Sequence, residues 1–199
     1  MLPFADLLVQ QCWEAGHEAA LYRDHDSLVQ ADITFFVGCV RVAKPHTLAK
    51  AKFNLVVHAS DLPKGRGFSP LTWQIIEGHN DIPVCLLHAS HTVDAGNVIY
   101  RDWLHFEGHE LIDEMRNQLG TKSNELCLRF VNEPTPPLGA PQVGEPTVYR
   151  RRTRADSELD PSRPLVEQFS LLRTVDNERY PAFFNLHGRR YRIRIDKNH

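Results

Sequence analysis

His58 closes the apolar run Leu55 to Val57, and a proline- and glycine-shaped stretch, Ala59-Ser-Asp-Leu-Pro-Lys-Gly-Arg-Gly67, follows it. A second apolar run, Ile82 to Ala89, leads to Val93-Asp94-Ala95-Gly96, which offers a carboxylate. An imidazole titrates near neutral pH and can shuttle a proton, and a neighbouring carboxylate can orient it or favour its charged form. In open α/β sheets ligands sit beyond the carboxyl ends of the strands, the rim where both side chains would fall. No serine stands in an elbow sequence, and no cysteine has an obvious activating context. Direct transfer assisted by acid/base and electrostatic stabilisation is therefore expected, without a covalent enzyme intermediate. Taken alone, the histidine and the aspartate read equally well as structural capping residues. The loop adds weight, since Pro63, Gly65, Gly67 and Pro70 demand a specific backbone path. Within it Lys64 and Arg66 could pair with an anionic substrate, or Arg66 with an acidic neighbour in a structural ion pair.

The elements that would position this pair are legible along the chain. Leu2, Ala5, Leu8 and Cys12 recur at helical spacing, predicting a helix over 2–15. A short strand is expected at Glu18 to Tyr22. The nearly continuous apolar run Ala31 to Val40 predicts a strand buried on both faces. Pro45 to Lys52 reads as a short helix, Asn54 to His58 as a strand. Ser69 to Glu77 reads as a helix capped by Ser69, with Pro70 at its first position and Gly78 at its end. Ile82 to Ala89 and Val98 to Tyr100 are expected to be extended, and Glu110 to Leu119 a helix stopped by Gly120. Alternation of this kind predicts an α/β fold with a mostly parallel sheet. The usual first strand of such a sheet is missing before the leading helix, either absent or outside the sequence. Beyond residue 130 the prolines 134, 136, 137, 141 and 146 mark an irregular crossing segment. A helix over Pro164 to Arg173 and a hairpin turning at His187-Gly188 follow.

Composition excludes several classes. The hydrophobic share of 42% and charged share of 24% are those of a globular protein, and the net charge of −2 argues against a general nucleic-acid or anionic-membrane binder. No apolar run reaches membrane-span length, and no signal peptide is legible. Cys12, Cys39, Cys85 and Cys127 are scattered without CxxC spacing, as expected of reduced core thiols in a cytoplasmic protein. His88-x-x-His91 lies at a strand-to-loop junction and is not read as a metal site.

The pattern His58-x-Ser60-x-Leu62-Pro63-x-x-Arg66-Gly67, with Pro70 beyond and then Val93-Asp94-x-Gly96, resembles the folate-dependent formyltransferases. The likeness is strongest to the compact sugar-nucleotide N-formyltransferases acting on UDP-4-amino-4,6-dideoxy-N-acetyl-altrosamine, of the pseudaminic acid type. It is carried by Asn54 to Gly67, Ser69-Pro-Leu-Thr-Trp-Gln74, Tyr149-Arg-Arg-Arg-Thr153, Asp156 to Asp160 and Asp176 to Phe184.

The resemblance implies a Rossmann-like open sheet flanked by helices over residues 1–130. A Pro-rich crossing segment and a small hairpin-containing extension would then occupy 131–199. It implies N10-formyltetrahydrofolate as formyl donor and a small-molecule amine, a UDP-linked amino sugar, as acceptor. It makes His58 the catalytic histidine and Asp94 the catalytic aspartate. The family's asparagine, two residues ahead of the histidine, falls on Val56. Asn54 is the candidate to replace it if the strand ends early or bulges.

The folate is expected near Phe36, Gly38, Leu86, Leu87, His88 and Asp94, the acceptor near Lys64, Arg66 and Gly67. Arg150 to Arg152 are further candidates for a diphosphate. In the implied reaction the amine attacks the formyl carbon directly, protonated His58 stabilises the developing oxyanion, and Asp94 holds the ring or removes the amine proton. Neither nucleic acid nor membrane is expected as a partner, and the hairpin allows a homodimer. Two alternatives stay open. One is an N-hydroxyornithine formyltransferase of siderophore biosynthesis. The other is a catalytically degenerate formyltransferase-like structural or interaction protein.

Overall fold

Branched and aromatic residues concentrate in four runs, and these become the strands of one central sheet. The computed structural model describes residues 2–198. In chain order its elements are α1 (Leu2–Glu14), β1 (Ala31–Phe36), α2 (Pro45–Leu48), β2 (Ala51–His58), the two-residue β3 (Arg66–Gly67), α3 (Pro70–Ile76), β4 (Asp81–His88) and β5 (Val98–His105). There follow α4 (Ile112–Val131), the two-residue β6 (Val148–Tyr149), a 3-10 turn at Arg154–Ser157, α5 (Leu165–Leu172), β7 (Ala182–Leu186) and β8 (Arg189–Ile193).

The fold is α/β and Rossmann-like, with sheet order β1-β2-β4-β5 and a separate β7-β8 hairpin in the C-terminal extension. The sheet is mixed rather than mostly parallel. Only β1 and β2 run parallel, whereas β2–β4 and β4–β5 are antiparallel. The β4–β5 connection explains part of this. It holds the Asp94 turn and no helix, and a parallel pair would need a crossover of a dozen or more residues.

The core lies between the sheet and its helices. Leu55, Ile75, Ile82, Val84, Leu86, Met115 and Phe130 are fully buried, each contributing roughly 1.5–3 kcal/mol relative to an exposed side chain. Ala5, Leu8 and Cys12 are buried on α1 as their spacing predicts, while the side chain of Leu2 lies outside the described residues.

Several elements depart from the expectations. α4 runs straight through Gly120, where a Cβ would meet the Phe4 ring at 2.5 Å. That glycine lets α1 approach α4 and does not stop the helix. β1 ends at Phe36, has exposed residues and forms one edge of the sheet, so it is not buried on both faces. No strand forms at 18–22. Ser69 is left-handed (φ 51°) and makes no side-chain cap for α3. Cys12, Cys85 and Cys127 are buried, but Cys39 is exposed beyond β1 and is no core thiol.

The crossing segment is built into the sheet. Val98 and Ala140 exchange backbone hydrogen bonds of 2.9 and 2.8 Å. The C-terminal extension has its own small core of Leu159, Leu172, Val175 and Ala182. Buried Arg173 reaches back from it to Glu110 at 3.5 Å. No helix among the described residues is long and apolar enough to cross a membrane.

Candidate active site

β2 delivers His58 at its last residue, paired across the ladder with Cys85 of β4. The ring is almost fully buried, with Nε2 2.8 Å from the carbonyl of Gly65 and Nδ1 3.5 Å from Oδ2 of Asp94. A carbonyl only accepts, so Nε2 carries a proton and donates it to Gly65. Nδ1 is thus the nitrogen left to work, and it faces a carboxylate.

Asp94 sits in a left-handed turn (φ 52°) between β4 and β5. Its Oδ2 also accepts the backbone N–H of Gly67 at 2.9 Å. Its Oδ1 accepts no hydrogen bond among the described residues, which leaves an acceptor for an incoming N–H. Cys85 is no rival nucleophile. Its thiol donates to the Ser60 carbonyl at 3.3 Å, and burial pushes it above the ordinary thiol range.

The loop that follows His58 is clamped from outside. β3 and β6 form a parallel ladder, Arg66 against Val148 and Gly67 against Tyr149. Arg66 N donates to Thr147 O at 2.9 Å, Phe68 N to Tyr149 O at 3.1 Å, and Gly65 N to Thr147 Oγ1 at 2.8 Å. Gly67 has φ 99°, and a Cβ there would collide with the carbonyl of Tyr149. The Asp94 turn is equally tight, because a Cβ on Gly96 would run into the backbone carbonyl of His88.

The remaining residues singled out from sequence fall in different places. Asn54 shares a face of β2 with Val56 and His58, but four residues of strand separate it from the histidine by roughly 13 Å. Its amide donates to the carbonyls of Leu48 (2.8 Å) and Ala51 (3.0 Å), so it is not brought to the pair. Val56 packs against the apolar cluster Leu62, Cys85 and Leu87. Leu86 and Leu87 are fully buried and Phe36 nearly so, whereas Gly38 (φ 63°) is exposed. His88 is half-buried at the end of β4. Burial holds its imidazole below the usual histidine range, opposed by the carbonyls of Leu138 and Pro137.

Lys64 is exposed and lines an open cleft of about 610 Å³ with Asp61, Pro63, Arg101, Gln142 and Glu145. Arg66 makes no ion pair among the described residues and donates to Oε1 of Gln142 through Nε (3.2 Å) and Nη2 (2.6 Å). Arg150 is bound to Asp156, and Arg152 is buried on Thr174 O (2.8 Å) and Ser157 Oγ (3.0 Å). Arg151 lies over the Phe68 ring at 4.3 Å and leans on Val40 O at 3.4 Å, between the His58 loop and the segment after β1.

Two contributors escaped the sequence reading, Gln142 and Thr147. Both sit in the irregular crossing segment, where no periodicity or motif marks them. No group of three or more His, Cys, Asp or Glu side chains among the described residues is arranged to hold a metal ion.

No protein-family model matches the chain. Methionyl-tRNA formyltransferase from Rickettsia prowazekii is 29% identical over 102 residues, 51% of this chain and 34% of that protein. The chain thus spans about a third of the length of the curated relatives it matches.

Among solved structures, methionyl-tRNA formyltransferase from Clostridium thermocellum superposes with a TM-score of 0.81 at 21% identity, covering 95% of this chain and 85% of that one. HypX from Aquifex aeolicus in complex with tetrahydrofolic acid gives 0.74 at 19%, covering 94% and 34%. A sugar N-formyltransferase from Shewanella sp. gives 0.68 at 13%, covering 99% and 93%. The chain thus shares the Rossmann-like fold of these formyltransferases, and half of its sequence is similar to the methionyl-tRNA formyltransferases.

Proposed function

We propose that this protein transfers a formyl group from N10-formyltetrahydrofolate to the amine of a nucleotide-linked amino sugar. The observation that carries the reading is the His58–Asp94 pair, in which Nε2 is committed to Gly65 and Nδ1 faces the carboxylate at 3.5 Å. A folate fits the donor set on one specific ground. Asp94 keeps Oδ1 free of hydrogen bonds among the described residues, so it can accept an N–H of the incoming group. When bound, N10-formyltetrahydrofolate supplies an electrophilic formyl carbon.

The chain's own residues do the rest. His58 holds a proton at Nδ1 that can be shared with a developing oxyanion, in a pocket where the ring is almost dry and such a bond is strong. Asp94 stabilises the imidazolium and offers its free oxygen as the acceptor for a proton leaving the amine. Lys64 and Arg151 are the exposed cations flanking the His58 loop, and they suit an acceptor that carries phosphate. Fold coverage does not separate an amino sugar from a tRNA, since the chain covers 85% of the Clostridium tRNA enzyme and 93% of the Shewanella sugar enzyme, so the choice of an amino sugar rests on these cations. A net charge of −2 favours the same choice.

One observation favours a second reading. Val56 puts an apolar side chain where the resemblance expects a donor, as a catalytically degenerate relative would. The experiment follows release of tetrahydrofolate from N10-formyltetrahydrofolate with UDP-4-amino-4,6-dideoxy-N-acetyl-altrosamine and, in parallel, N-hydroxyornithine. Turnover of the sugar nucleotide that disappears in His58→Ala supports the reading. Turnover of N-hydroxyornithine alone moves the acceptor, folate binding without either turnover points to a different acceptor, and no folate binding supports the degenerate protein.

A further inference from the structure

Gln142 occupies an exceptional place in the hydrogen-bond pattern of the site. Its Nε2 donates to the carbonyls of Asp94 (2.7 Å) and Gly96 (2.9 Å), and its Oε1 accepts both Nε (3.2 Å) and Nη2 (2.6 Å) of Arg66. One amide has two donors and two acceptor lone pairs, and all four are used. Only a carboxamide can do both: a glutamate has no N–H for the two carbonyls, and a lysine cannot accept from a guanidinium.

We propose that Gln142 is a positioning residue for the proton-transfer pair, joining the Asp94 turn to the loop that follows His58. The inference rests on the reading of His58 and Asp94 as that pair. The turn needs such a hold. A non-glycine residue at φ 52° is disfavoured, by roughly 1–2 kcal/mol, and contacts from outside the turn must keep it there. The two carbonyls that bracket the Asp94-Ala-Gly96 corner are both taken by the one NH2 group of Gln142.

The other end of the amide grips Arg66, one residue after the carbonyl that fixes His58 Nε2. Gln142 is thus tied to both sides of the gap between Nδ1 and Oδ2. At 3.5 Å that gap is wider than an ordinary N–H···O bond, so a displacement of half an ångström decides whether the two share a proton. Gln142 touches neither ring nor carboxylate, and its action is through the backbone of the turn.

The test uses Gln142→Glu, which keeps the shape and the acceptor for Arg66 but puts a carboxylate against two carbonyls, and Gln142→Met, which removes both ends. Val143→Ala, an exposed neighbour, serves as control. In protein labelled with 15N-histidine, the ring nitrogens of His58 are assigned by their loss in His58→Gln. The Nδ1 resonance is expected to shift in both Gln142 variants and to stay in place in Val143→Ala.

In the formyl-transfer assay kcat should fall about tenfold or more, while KM for N10-formyltetrahydrofolate changes less than threefold. A Gln142→Glu protein that folds, and whose His58 Nδ1 signal matches the parent, overturns the proposal whatever its activity. A KM effect with kcat unchanged also overturns it. If the parent transfers no formyl group, the function proposed above fails, and the resonance alone decides the role of Gln142. Should Gln142→Glu fail to fold, Gln142→Met decides by the same resonance.

Discussion

The backbone N–H of Gly67 is held by the carboxylate of Asp94 at 2.9 Å, on the same oxygen that lies 3.5 Å from Nδ1 of His58. One oxygen therefore serves two purposes, fixing the loop and facing the imidazole. The two can be separated by Asp94→Asn, whose amide oxygen still accepts from Gly67 but carries no charge. Loop geometry should survive and Tm should change little. Without a carboxylate to stabilise the imidazolium or take a proton, kcat should fall by about 10²–10⁴, the usual worth of a positioned acid or base. A fall of less than threefold would leave Asp94 as a structural clamp alone.

Gly67 and Gly78 make a matched pair for testing how tightly the loop is built. Both have strongly positive φ, 99° and 92°, so each carries the backbone strain of a left-handed residue when changed to alanine. A Cβ on Gly78 meets nothing within 4 Å, whereas one on Gly67 meets the carbonyl of Tyr149. Gly78→Ala should cost about 1 kcal/mol and leave formyl transfer intact. Gly67→Ala should cost more, about 2–3 kcal/mol, and it should reduce kcat because β3 must leave β6. Thermal unfolding of the two variants side by side measures the difference, and equal costs would mean the β3–β6 contact is loose.

The helices and central strands were legible because their signals are local, and much of the site was not because it is assembled from far away. Asn54 to His58 and Ile82 to Ala89 read as strands from apolar runs of the right length, and the loop after His58 declared itself through Pro63, Gly65 and Gly67. Strand direction carries no such mark. A run of Ile, Val and Leu looks the same parallel or antiparallel, and the β2–β4–β5 antiparallel order emerges only in the ladders.

Gly120 misled for a related reason. A glycine ends a helix when its backbone turns left-handed but merely admits a neighbour when it packs against a ring, as here against Phe4. Arg152 sits in the basic run 150–154, yet it is buried under Thr174 and Ser157. Gln142 lies 48 residues from Asp94, in a segment of prolines with no periodicity to point at it.

Asp176 supplies a pH dependence of known sign. Burial alone would raise its carboxyl group. The backbone N–H groups of Arg179 and Glu178 and the guanidinium groups of Arg116 (2.8 Å) and Arg179 (2.9 Å) outweigh burial and hold it well below the usual carboxylate range. The folded carboxylate therefore binds a proton less readily than the unfolded one, whose pKa is about 3.9. Its contribution is present in full above about pH 5 and is lost as pH falls below about 4. Asp176→Asn should destabilise the protein at pH 7 by about 1–3 kcal/mol, a range that allows for the exposure of Arg179. It should also flatten the dependence of the urea midpoint on pH between 3 and 5. Parallel curves for parent and variant would assign the acid sensitivity elsewhere.

Val56 invites the most direct test of the site, because two opposing effects of known size act on one substitution. Val56 and His58 lie two residues apart on the same face of β2, and roughly 7 Å of strand separates them. Val56→Asn would place an amide N–H₂ beside the working nitrogen, where the resemblance expects a donor. A donor aimed at a developing oxyanion is worth about 10²–10³ in kcat. Against this, the side chain enters the apolar cluster of Leu62, Cys85 and Leu87, where an amide without a partner costs about 1–3 kcal/mol of stability.

If His58 and Asp94 transfer formyl groups with that donor missing, kcat should rise at least tenfold while Tm falls by several degrees. Lower stability without any gain in rate would mean that the carbonyl is polarised from another direction. A protein donor to test would then be Arg151, which lies over Phe68 at the edge of the same loop.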